Sequence, residues 1–147
     1  MVLRKQRPRT GKRLTPSPKR IKKSLLKKCD DAFSLLVRAR DQHCQFPGCT
    51  STKKLQNSHY IGRAVKSTRF DPDNCVALCW FHHYKSKDLG FEYQKQTLEK
   101  HGFEGQYTIF MKNRLGPEKY QQLITNSKKK VTLTKPRLES LLASLKK

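Results

Sequence analysis

Four of the five cysteines, Cys44, Cys49, Cys75 and Cys79, share one stretch of chain with His43, His59, His82 and His83. The start, MVLRKQRPRTGKR, lacks the apolar segment of a secretory signal, and the thiol count is odd. Both features favour reduced thiols over a disulfide framework. Two short pairs stand out, Cys44-x4-Cys49 and Cys79-x2-His82, with 29 residues between them. Zinc takes four nitrogen or sulfur donors in a tetrahedron, and short pairs on two turns supply them at little cost in chain entropy. A structural Zn²⁺ on Cys44, Cys49, Cys79 and His82 is therefore expected. Cys75 is an alternative to Cys79, and His43 or His83 to His82; Cys-x2-His is the tighter knuckle and leaves His83 for other work. Cys29 sits on an apolar helical stripe and reads as a small core residue.

With those ligands assigned, His59, Asn74 and His83 remain. Taken singly, His59 on a strand reads as structural and Asn74 as a helix cap. The context is richer: SHY at 58–60 extends to HYIGR at 59–63, and TRFDPDN spans 68–74 ahead of LCWFHH at 78–83. With the first cysteine pair, these residues resemble the HNH, or ββα-metal, nuclease family, and within it the phage recombination nucleases of the NinG/Rap type. The resemblance covers about residues 40–95.

It implies a role for each residue. Hydrolysis of a phosphodiester needs a base for water and a cation to offset phosphate charge. His59 would be the base, since imidazole near its ordinary pKa of about 6.5 is largely neutral at pH 7. His83 would bind a catalytic Mg²⁺ or Mn²⁺, and Asn74 would hold the loop after His59. Arg63, Lys66 and Arg69 would be DNA-binding, with Arg63 and Arg69 clamping phosphate. Trp80 and Phe81 are expected in the core. Family members often carry Asp, Glu or His just before the first histidine, where this chain has Ser58. A hydroxyl is a poor ligand for a hard cation, so His83, DNA phosphate, water and Asp71 or Asp73 are expected to share the ion.

The elements that must position these groups carry a heavy positive charge. Lys and Arg number 33 against 11 Asp and Glu, for a net charge of +22 over 147 residues. Residues 1–28 hold 12 of the basic residues and no acidic one. Such an excess calls for a polyanionic partner, and DNA is expected. No apolar run approaches membrane-spanning length, so no membrane partner is expected, and the expected compartment is the cytoplasm (that of the host, if the chain is phage-encoded).

Spacing predicts a basic flexible arm over 1–23, a domain over 24–130, which the resemblance implies is an HNH nuclease domain, and a linker with an amphipathic helix over 131–147. Within the domain, a helix over 24–41 buries Leu25, Leu26, Cys29, Phe33, Leu36 and Val37, and a strand runs from Leu55 to Ile61. A short helix starts near Asp73 or Asn74 and carries Val76, Ala77, Leu78 and Trp80. Further helices span 89–102 and 117–128, the last begun by Pro117. Leu138, Leu141, Leu142 and Leu145 form a stripe that packs on the domain or on a partner chain, the latter giving a homodimer. The expected fold is α+β, a small zinc-stapled ββα-metal core with flanking helices. The expected activity is metal-dependent DNA endonuclease action on branched recombination intermediates. Its rivals are a homing or packaging nuclease on linear duplex and a non-catalytic zinc-stabilised DNA-binding protein.

Overall fold

The computed structural model describes residues 17–85 and 105–146. The first helix, α1, runs Pro18–Asp41, longer at its start than the spacing of apolar residues suggests. Ser17 caps it by accepting from the Arg20 amide, and Pro18 takes the first helical position, where its missing N–H costs nothing. Residues 18–23, expected to belong to the basic arm, are thus helical. Cys29, Phe33 and Val37 are buried as the stripe requires, while Leu36 is 38% exposed beside an exposed Leu35.

Two strands form an antiparallel ribbon, β1 (Leu55–His59) against β2 (Cys75–Cys79), in a register that pairs Leu55 with Cys79 and His59 with Cys75. The helix expected from Asp73 or Asn74 is instead a 3₁₀ turn, Pro72–Asn74, followed by β2. Every residue of β2 is buried: Cys75 packs with Phe33 and Val37 of α1, while Val76 and Leu78 join a second cluster. A strand covered on both faces shows no alternation, and a short apolar run then reads equally well as a buried helix. The strand expected to reach Ile61 stops at His59 because the Ile61 amide bonds to a side chain, Asn74 Oδ1.

Helix α2 (Gln106–Ser127) supplies Tyr107, Met111 and Leu123 to the cluster around Val76 and Leu78. It bends at Gly116, whose φ of 76° suits glycine, and Pro117 starts the second half as expected. The helix expected over 89–102 lies outside the described residues. Helix α3 (Lys135–Leu145) is capped by Thr134 and lies on α1: Leu138 is fully buried with Cys29 and Leu133, and Leu141 and Leu142 pack against them. The leucine stripe thus packs on the domain, with Leu145 against the cluster around Phe33 and Val37. Cys29 is a core thiol, as read, donating to the Leu138 carbonyl at 3.3 Å. The architecture is α+β, and among the described residues no helix is long and apolar enough to cross a membrane.

Candidate metal centre and active-site cleft

The metal centre begins with a turn. Phe46-Pro47-Gly48-Cys49 closes through a Cys49 N–H to Phe46 carbonyl bond of 2.9 Å, with Gly48 at a φ of 79°. Proline then glycine at those two places is the signature of a type II turn. A bond from the Cys44 amide to the Ser51 carbonyl closes the knuckle, and one from the Gln45 amide to the Ala77 carbonyl docks it on β2. Cys79 ends β2, and the wide turn Phe81–Lys85 carries His82 back toward it. The ligand atoms of Cys44, Cys49, Cys79 and His82 lie within 4.8 Å of one another. His82 Nδ1 stands 3.2 Å from Cys79 Sγ and 3.5 Å from Cys44 Sγ, and Phe46 stacks on its ring at 4.0 Å. Three sulfurs and one imidazole nitrogen so gathered can hold a metal ion such as zinc.

Burial, with the adjoining Cys79 and Cys49 thiols, pushes the Cys44 thiol up to about 12. A cation must displace that proton to bind, so loading should release protons. The alternatives Cys75, His43 and His83 lie outside the cluster, His83 being bonded to Gln56. Cys75 lies at the other end of β2 against α1, and His43 is solvent-exposed, hydrogen-bonded to Gln45.

Asp41, three residues before Cys44, ties the centre to the rest. Its buried carboxylate accepts from Arg40, Arg114 and the Ala77 amide at 2.7–3.0 Å. Burial alone would raise its pKa, but these donors outweigh that and lower it.

A cleft of about 380 Å³ opens between α1, β1 and the turn after β2, and it brings together His59, His83, Arg63 and Arg38. His59 Nε2 lies 2.9 Å from the Arg69 carbonyl oxygen, which can only accept. The ring proton is therefore on Nε2 and the lone pair on Nδ1. Burial, with the nearby Arg63 and Arg69 charges, holds His59 below the ordinary imidazole pKa, against the opposing pull of that carbonyl and Asp30. His83 has the complementary arrangement: its Nδ1 donates to Gln56 Oε1 at 2.7 Å, leaving the lone pair on Nε2. Burial and the Arg63 and His59 charges lower its pKa too. The cleft thus holds two imidazoles whose neutral forms are favoured.

Asn74 stands beside the loop that follows His59. It is wholly buried, and its Nδ2 donates to the Ile61 and Thr68 carbonyls, both at 2.9 Å. Its Oδ1 accepts from the Ile61 amide at 2.7 Å. Its backbone carbonyl takes the Tyr60 amide at 2.8 Å. One side chain so clasps both ends of the 61–68 loop that follows His59.

Other expectations are corrected. Arg69 is not free for phosphate: its guanidinium is paired with Asp30 at 2.7 and 2.9 Å and donates to the Arg63 carbonyl. Lys66 is exposed and does not line the cleft. Asp71 and Asp73 do not line it either; the Asp71 carboxylate caps the 3₁₀ turn through the Asp73 amide. Ser58 faces the core, its hydroxyl 3.2 Å from that of Tyr107. Trp80 and Phe81, expected in the core, are 42% and 52% exposed because β2 ends at Cys79 and the chain turns outward.

Four contributors escaped the sequence reading: Arg38, Asp30, Gln56 and Asp41. Arg38 and Asp30 follow one helical face of α1, but nothing in their spacing says which face meets the cleft. Comparison of the chain with protein-family models, curated proteins and solved structures finds no match.

Proposed function

We propose that this chain is a metal-dependent DNA endonuclease of the HNH type, acting on branched recombination intermediates. The observation that carries the reading is the shared cleft in which His59 and His83 keep complementary lone pairs, each tautomer set by one acceptor. His59 Nδ1 takes the proton of an attacking water; a positioned base of this kind is worth roughly 10²–10⁴ in rate. Arg63 and Arg38 hold substrate phosphate. Arg38 donates its Nε to the Ser34 carbonyl, and its terminal nitrogens have no acceptor among the described residues. The net charge of +22 suits a polyanion, and the closely spaced phosphates of a junction suit it best.

The cleft also tests which cation would fit. With Asp30 paired and Ser58 turned away, the cleft offers the His83 imidazole, Asn57, whose Oδ1 has no hydrogen-bond partner among the described residues, and the Asp31 carboxylate, which is paired with Lys27. An imidazole nitrogen suits Mn²⁺ better than Mg²⁺, so His83 would favour the former. The ion supplies positive charge beside the scissile phosphate. The same sparse donor set favours one other reading, a DNA-binding protein without turnover.

Incubating the protein with a four-way junction and a matched duplex, each with Mn²⁺, Mg²⁺ or chelator, separates these readings. Faster junction cutting that requires the cation is the expected result. Equal cutting of both substrates removes the branched preference. Tight binding with no cutting under any condition leaves the non-catalytic reading.

A further inference from the structure

We propose that Asp30, on α1, is a positioning residue for His59 and acts through Arg69. This deepens the nuclease reading and rests on it for the role of His59, though not for the state of its ring. Both Asp30 oxygens are engaged, Oδ1 with Arg69 Nε at 2.9 Å and Oδ2 with Arg69 Nη2 at 2.7 Å. The two side chains are only 23% and 16% exposed, so the pair is shielded from water more than a surface bridge is. The backbone carbonyl of the same Arg69 accepts the His59 Nε2 proton at 2.9 Å. The carboxylate on the helix thus reaches the imidazole in two hydrogen-bonded steps through a single residue.

The loop needs such an anchor because it has no ladder of its own. Between Tyr60 and Asp71 its backbone is held by isolated turn bonds, one as long as 3.4 Å. A carbonyl points where its peptide plane points, and three neighbours fix that plane from different sides. Asn74 holds the Thr68 carbonyl, Phe70 packs edge-on against Phe33 at 5.7 Å, and Asp30 holds Arg69 between them. Without Asp30 the central anchor goes, the Arg69 guanidinium is released, and the peptide can tilt away from Nε2. An imidazole that then moves its proton to Nδ1 has lost the lone pair a base needs. A tautomer error or an ångström of displacement leaves binding groups in place but slows chemistry.

The test uses the full chain carrying Asp30→Asn, Arg69→Gln, or both; the second variant keeps the backbone carbonyl and approaches the pair from the other side. Ring ¹H–¹⁵N spectra should show a single Nε2–H tautomer of His59 in the parent protein and a mixture in each variant. With junction DNA and Mn²⁺, kcat should fall about 10- to 100-fold in each single variant. KM should stay within about twofold, and the double variant should be no slower than the worse single one. Unchanged His59 spectra in both single variants would overturn the proposal, as would additive losses in kcat. If the parent protein cuts no DNA, the nuclease reading fails while the tautomer comparison still decides the role of Asp30.

Discussion

The metal centre and the cleft share one two-stranded ribbon and are built on opposite plans. The metal centre draws Cys44 and Cys49 from one knuckle, Cys79 from the end of β2 and His82 from the wide turn just after it, and its geometry is local. The cleft draws His59 from β1, His83 from the turn after β2, Arg38 from α1 and Arg63 from a loop. Its order comes from long-range hydrogen bonds: Asn74 to Ile61 and Thr68, Gln56 to His83, Asp30 to Arg69. A metal ion can enforce its own geometry on flexible turns, whereas a base must find its lone pair already in place. Damage to the first region should therefore be global, and damage to the second local and chemical.

The largest effect that sharpens this contrast is Cys44→Ser. Structural zinc contributes roughly 10–16 kcal/mol in small zinc-bound folds, so this variant should lose metal and cooperative unfolding together. Metal content and thermal melts measure both, while Cys75→Ser, outside the ligand set, should keep its metal. Full metal retention by Cys44→Ser would break the assignment.

Next comes His59→Ala, expected to lower cleavage by about 10²–10⁴ with metal content and DNA affinity unchanged. A variant that cuts as fast as the parent shows that the base lies elsewhere.

Asn74→Ala tests whether the cleft is held by hydrogen bonds. It leaves the Ile61 amide and carbonyl without their side-chain partner, at about 1–3 kcal/mol for each group that stays buried, and the Thr68 carbonyl with only the Asp71 amide. Denaturant melts should record that loss, and cutting should slow, while the metal stays bound. Simultaneous loss of metal would show the two regions to be one unit.

Arg38→Ala should weaken binding to every DNA substrate alike and reduce the slope of log K against log salt by about one phosphate contact. An unaltered salt slope would place Arg38 off the DNA path.

The smallest effect is in pH. Because the folded protein holds His59 below the ordinary imidazole pKa of about 6.5, the base keeps its lone pair to lower pH than a free imidazole does. The acid limb of kcat/KM should lie below that value, leaving rates nearly flat above it; a limb centred above pH 7 contradicts the buried setting.

Much of this was legible in residue order. Cys-x4-Cys with Pro47 and Gly48 inside it, then Cys-x2-His, named all four ligands, because a knuckle's geometry is set within a few residues. Pro117 opening a helical half and Cys29 on the α1 stripe were equally readable, since both obey the local rules of turns and periods. The resemblance implied that Asn74 holds the loop after His59; its three side-chain bonds, to Ile61 and Thr68, are visible only in the structure.

What residue order left undecided depends on distant faces meeting. Cys75–Cys79 reads as helix or strand until α1 and α2 are seen covering both of its sides. Arg69 reads as a phosphate clamp until Asp30, 39 residues earlier, is found against it. Ser58 reads as a poor cation ligand until Tyr107 draws it into the core. The leucines of α3 fit a partner chain as well as they fit α1, because an apolar stripe specifies burial and not the surface that provides it. Residue type and short spacing carry chemistry and local geometry; only the packed chain brings a charge to its counter-charge, and so decides which polar groups are free to act.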